Sequence, residues 1–191
     1  EDGVTQLVTA NTVTLSPYEN GLLEETKAEY RDIGAPSDVS DRVAVILSMT
    51  SATDIVDLSH RTGRDVPKMA TLFNAIGDKF GYERIRQTAL SLKLDQHWDR
   101  LAVRGIVETL VDQQIVLAER ISANSELKDW DDFESARKRV DGFVAMHAED
   151  HERLELNLAE LEHSGAWTFA KLVLFANAMR SFIDDTDVGA T

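Results

Sequence analysis

The chain has no cysteine, only three prolines and ten glycines in 191 residues, and each shortage narrows what it can be. Without cysteine there is no disulfide, no thiolate nucleophile and no cysteine-based zinc site, a composition that fits a reducing compartment, so a cytoplasmic location is expected. The prolines stand at positions 17, 36 and 67, which leaves residues 68–191 free of the residue that breaks helix interiors. Long helices are expected there. The glycines never fall as G-x-G, and neither G-x-x-x-x-G-K-[ST] nor the nucleophile elbow G-x-S-x-G occurs. No Rossmann route to NAD and no serine nucleophile is expected in this chain. Long apolar runs are missing too: the most apolar stretch, Leu172 to Ala176, is far below the ~20 residues that span a bilayer. The N-terminus lacks a basic region followed by an apolar one, so neither secretion nor membrane insertion is expected. Positive charge is scarce, with 20 Lys and Arg against 34 Asp and Glu, a net charge of −14 and a pI of about 4.7. A phosphate backbone or an anionic lipid surface would be repelled, which argues against nucleic-acid and membrane partners.

What is present is a globular composition, 43% hydrophobic and 28% charged, at a length that suits one or two packed units. Ser16 and Pro17 form a cap-and-first-turn pair that starts a helix running to about Arg31. Ile33-Gly34-Ala35-Pro36-Ser37 is a turn signal, and Val39, Val43, Ile46 and Leu47 then recur at helical spacing. Ile55, Val56, Leu58 and Ser59 make a further short face that stops at Thr62-Gly63, and Asp65 is placed to cap the next helix. In that helix Met69, Ala70, Phe73, Ile76 and Phe80 share one face, with Gly77 and Gly81 flattening or ending it. Tyr82, Ile85, Ala89, Leu90 and Leu92 make the following one.

Two longer patterns follow. From Trp98, the positions Leu101, Ala102, Ile106, Leu110, Gln113, Leu117 and Ile121 keep the helical period for about seven turns, ending near Asn124. From Phe133, the positions Val140, Val144, His147, His151, Leu154, Leu158 and Leu161 alternate spacings of three and four until Ser164-Gly165. A last helix carries Trp167, Phe169, Leu172, Val173, Ala176, Met179 and Ile183, and the tail with Asp184, Asp185 and Asp187 is expected to fray. The fold class is therefore all-α: an irregular multi-helix bundle with two long helices, about 98–124 and 132–163, and several short ones. Residues 1–124 would form an array ending in a long helix, 125–131 a candidate hinge, and 132–191 a helical pair with an acidic tail. One continuous domain is the other division considered.

Few residues offer chemistry. His147 and His151 project from one helical face and are the weak candidate for a metal site, but Glu149 stands at the wrong offset for the zinc-protease motif and no third ligand is near in sequence. Their place on the packed seam favours a polar packing role. Asp185-Thr186-Asp187-Val188-Gly189 begins like a calcium loop, yet the chain stops short of the required Glu. Glu24, Glu25 and the other outward carboxylates are read as a solvated surface. Trp98, beside Asp99 and Arg100, is read as a core anchor at the start of an apolar helix. No catalytic, cofactor-binding or firm metal residue is assigned.

Three landmarks in order carry a family resemblance. They are Asp54-Ile55-Val56 leading to Gly63; Ile76-Gly77-Asp78-Lys79-Phe80-Gly81; and Asp95-Gln96-His97-Trp98-Asp99-Arg100-Leu101-Ala102. Together they resemble the C-terminal helical region of the large bacterial NAD-specific glutamate dehydrogenases. Weaker similarity runs through Ile33-Gly34-Ala35-Pro36 and Asp41-Arg42-Val43, then Gln113-Gln114, Leu158-Ala159-Glu160-Leu161, Gly165 and Leu172. Ile115 stands where that pattern has a basic residue, and residues 125–146 align poorly. The resemblance implies a parent enzyme that oxidatively deaminates L-glutamate to 2-oxoglutarate with NAD, the catalytic machinery lying upstream. It implies a helical appendage serving assembly or regulation, with the catalytic domain of the same chain and neighbouring subunits as partners. A start at Glu1 agrees with an excised piece. The competing readings are a free-standing helical protein-interaction module and a small metalloprotein built on His147 and His151.

Overall fold

A computed structural model describes residues 17–48, 51–94 and 96–187, which form nine helices and no strand. The opening stretch with its Ser16 cap, Asp95 of the third landmark and the last residues of the calcium-like run lie outside the described residues. The helices are α1 Pro17–Asp32, α2 Ser37–Ser48, α3 Ala52–Thr62, α4 Val66–Phe80, α5 Tyr82–Ser91, α6 His97–Ala123, α7 Phe133–Met146, α8 Ala148–His163 and α9 Phe169–Asp185.

The centre of the bundle is α4, and local chemistry sets both its ends. The Asp65 carboxylate accepts from the Lys68 backbone N–H at 2.8 Å, and Pro67 fits the first turn, where its missing donor costs nothing. Gly81, at φ 68°, closes the helix in the left-handed conformation and donates its N–H to the Gly77 carbonyl. Between these caps Met69, Leu72, Phe73, Ile76 and Phe80 are buried, so α4 is enclosed rather than amphipathic. Full burial of each such side chain contributes about 1.5–3 kcal/mol before the cost of ordering the chain. Helices α3, α5, α6 and α7 pack around it.

Helix α6 is the long spine. Its 27 residues, about 40 Å at 1.5 Å per residue, touch α3, α4, α5, α7 and α9. Helix α9 lies against α6 and α8, burying Leu172, Phe175, Met179, Phe182 and Ile183. Helices α1 and α2 form a hairpin that packs chiefly on itself, with a small separate core of Leu23 and Ala44 and an ion pair from Arg31 to Asp41 at 2.8 Å.

Several expectations change in detail. The second long pattern is two helices, broken at His147, whose φ of −119° and ψ of 42° leave the helical region. Glu149 and Asp150 fall in the first turn of α8, where the helix dipole favours acids, so a new start there is stabilised although neither glycine nor proline marks it. The seam survives the break: Val140 and Leu154 are buried, and Val144, Leu158 and Leu161 pack against the core.

Residues 125–131 hold Trp130, which is fully buried, and buried side chains from both sides of this run belong to one cluster. The Trp130 indole N–H donates to the Lys68 carbonyl at 2.8 Å, while the Arg64, Arg139 and Lys68 cations lie 4.7, 4.8 and 5.2 Å from a ring centroid.

The acidic tail is fastened as far as Asp187 instead of fraying. Thr186 is buried, Arg120 donates to its hydroxyl at 2.8 Å and to the Ile183 carbonyl, and Asp187 lies 3.5 Å from Arg120. Arg153 of α8 holds Asp150 at 2.8 Å and Asp185 at 2.7 Å.

Candidate functional site

The side chains singled out for chemistry do not come together. His147 stacks on Phe143 with ring centroids 4.7 Å apart, whereas His151 lies between Phe80 and Phe182, 6.0 Å from each. Burial pushes the His151 pKa below its ordinary value, outweighing the Glu155 carboxylate 3.4 Å away, and no hydrogen bond from a described residue reaches its Nε2. Among the described residues no group of three or more His, Asp or Glu is placed to hold a metal ion. Glu24 and Glu25 are exposed, Glu24 pairing with Lys27 at 2.6 Å.

Trp98 is the clearest departure. It is 74% exposed, with His97 as its one ring neighbour among the described residues, at 5.6 Å, and every residue from Gln96 to Ala102 is exposed. The helical period places Trp98 and Leu101 on a common face, but no described helix buries that face there. The first buried residue of that helix is Val103. Leu90, expected on a core face, is likewise 63% exposed.

Sequence reasoning passed over a groove about 280 Å³ in volume between α3, α5 and α6. Its polar wall is Ser51, Asp54, Glu83, Arg86, Gln87, Glu108 and Asp112, and its apolar wall includes Leu90, Val107 and Val111. Arg86 is buried: Nε and Nη2 donate to one Glu83 oxygen at 3.0 and 2.5 Å, and Nη1 donates to the Gln114 Oε1 at 2.6 Å. Gln114 in turn donates to the Phe73 carbonyl at 2.7 Å, which ties α4, α5 and α6 through one buried chain of hydrogen bonds. Asp54, on the first turn of α3, is held above the usual carboxylate range, by burial first and then by the Asp112 charge. Asp54 stood in the first landmark and Gln114 in the weaker one; the fold places Asp54 on the groove wall and Gln114 behind it, holding Arg86.

Other buried polar groups serve packing. The Tyr82 hydroxyl is enclosed with no hydrogen-bond partner among the described residues, and burial pushes its pKa up. Gln113 donates to the Ala176 carbonyl at 2.8 Å and joins α6 to α9.

No curated relative matches the chain. Residues 1–181 match the family described as glutamate dehydrogenase, C-terminal, a span that takes in all three landmarks, and the chain belongs to that family.

Proposed function

We propose that this chain is a non-catalytic helical domain of a large NAD-specific glutamate dehydrogenase, and that its task is assembly: it docks on the catalytic domain or on a neighbouring subunit. The observation that carries this reading is the exposed start of α6. Trp98 and Leu101, 74% and 44% exposed, stand together at the start of a helix that buries one face from Val103 onward. Tryptophan is costly to leave in water and is enriched among the residues that dominate protein interfaces. The buried polar groups support the same reading, because Arg86 and Gln114 join α4, α5 and α6 and Arg139 fastens the end of α6. Glutamate oxidation would then belong to the rest of the polypeptide, and NAD to its cofactor domain.

The test pairs two preparations. The isolated chain should show no NAD-dependent glutamate oxidation, and Trp98→Ala should leave its helix content unchanged. In the full dehydrogenase the same substitution should shift the sedimentation profile toward smaller species or loosen the domain to proteolysis. Turnover by the isolated chain would overturn the non-catalytic assignment, and an unchanged assembly would overturn the docking role.

A further inference from the structure

We propose, resting on the docking role given to the start of α6, that the exposed side of this helix binds a second copy of the chain, the two helices lying antiparallel across a two-fold axis. Arg100, Arg104, Glu108 and Asp112 follow one another at every fourth position and all four are exposed. They form a single ridge about 18 Å long across the outer side of α6, of the kind that interdigitates between packed helices. Along it the charges run two positive and then two negative. An antiparallel copy presents the same ridge in reverse, which sets Arg104 of one copy beside Glu108 of the second and Arg100 beside Asp112. Each pair then occurs twice by symmetry. A partner surface of one sign would match only half of the ridge.

Within one chain this order is unfavourable. Arg100 with Arg104, and Glu108 with Asp112, are like charges one turn apart, an arrangement that weakens an isolated helix. Arg104, Glu108 and Asp112 make no ion pair among the described residues, and Arg100 donates to the Leu94 carbonyl at 3.1 Å. A net charge of −14 repels two copies at long range, and the ridge, with two charges of each sign, offsets that repulsion locally.

Gly105 is a second, independent mark of the same face. It is exposed in the interior of α6, and a Cβ there would meet nothing within 4 Å, so packing within one chain gives no reason for a residue that weakens a helix. The axis that pairs Arg104 with Glu108 passes at the level of Ile106, next to Gly105, where a missing side chain lets two backbones approach closely. Trp98 and Val116, both exposed, stand in line about five turns apart. The same axis brings Trp98 of one copy to within a turn of Val116 of the second, with the exposed Leu101 between them and the axis.

A seam one helix wide is small among protein interfaces, so a Kd of about 0.1 mM is expected and the chain is monomeric at low micromolar concentration. Sedimentation equilibrium of the 191-residue chain up to about 0.5 mM tests this. The wild type should pass reversibly from monomer to dimer. Arg104→Glu and Glu108→Arg should each weaken the dimer about tenfold or more with circular dichroism unchanged, because like charges then face one another. Both substitutions in one chain, or an equimolar mixture of the two single variants, should restore it. Gly105→Gln favours the helix and should raise the melting temperature while abolishing the dimer, which keeps the test decisive if a charge reversal unfolds the chain. The proposal is overturned by a wild type that stays monomeric, by single reversals that leave the dimer intact, or by a double reversal that does not recover it. A monomeric wild type whose Trp98 is still protected in the full dehydrogenase would overturn the second copy alone and assign this face to the catalytic domain, so the two readings fail separately.

Discussion

Gly77 of α4 and Gln114 of α6 are fitted to one another: a Cβ at Gly77 would stand 2.9 Å from the Gln114 Nε2. That nitrogen donates to Phe73 O, and the same amide accepts from Arg86, so it has no room to retreat without breaking one of the two. Gly77→Ala gains about 1 kcal/mol of helix propensity. It loses about 1–3 kcal/mol when a buried polar group is displaced from its partners. The net effect expected in chemical denaturation is destabilisation. In a Gln114→Ala background the obstacle is gone, and the same substitution should stabilise by about 1 kcal/mol. A sign that does not reverse would show that the two residues do not act as a pair.

Arg139 fastens the end of the long helix. Its guanidinium donates to the carbonyls of Ile121, Ser122, Asn124, Leu127 and Lys128, the first three at the last turn and cap of α6, where backbone acceptors have no helical partner. Lysine has one nitrogen and cannot span five acceptors, so Arg139→Lys should cost about 2–4 kcal/mol. Thermal unfolding checks this, and Arg137→Lys, at an exposed position nearby, should change little.

The buried histidine makes stability depend on pH in one direction. His151 has a folded pKa below its ordinary 6.5, through burial first and with Lys79 acting the same way, while Glu155 and Asp141 oppose. The unfolded chain therefore takes up its proton first. The contribution of neutral His151 is fully present above the unfolded value and is lost as pH falls from about 6.5 through the folded pKa. His151→Leu should flatten the stability profile between about pH 7 and pH 5, where the wild type declines. A profile of unchanged slope would contradict the burial of this ring.

At neutral pH the Asp54 charge opposes folding. Its pKa is raised by burial, then by Asp112 and Asp57, so the ionised form is disfavoured in the fold. Stability falls as pH rises from the ordinary value of 3.8 through the raised one. Asp54→Asn should be neutral to stabilising by a few tenths of a kcal/mol at pH 7, given its partial exposure. That difference should vanish below both pKa values.

The parts legible in the sequence are those set by local chemistry. Asp65 capping α4, Gly63 and Gly81 in the left-handed conformation at helix ends, and the start of α9 near Trp167 all depend on residues within one turn of each other. Periodicity located the core of α4 because that helix is surrounded, and Met69, Ala70, Phe73, Ile76 and Phe80 are all buried. The same reasoning failed at Trp98, Leu101 and Leu90, since a period identifies a face without saying whether another helix covers it. The break at His147 was hidden because the apolar seam continues through it. Trp130 and Arg139 were missed for the opposite reason: a lone aromatic in a polar run has no period, and two of its three cations, Arg64 and Lys68, come from more than sixty positions away. The groove carboxylates looked like solvated surface, and only the packing of α3 and α5 on α6 sets them opposite one another.

The docking role rests on Trp98, and hydroxyl-radical footprinting of that one side chain tests it most directly. Its oxidation rate would be measured in the isolated chain and in the full glutamate dehydrogenase. Rapid oxidation is expected in the isolated chain, matching a 74% exposed ring, and strong protection of Trp98 and Leu101 in the complete enzyme. Equal oxidation in both would leave the start of α6 facing water and contradict the assembly role.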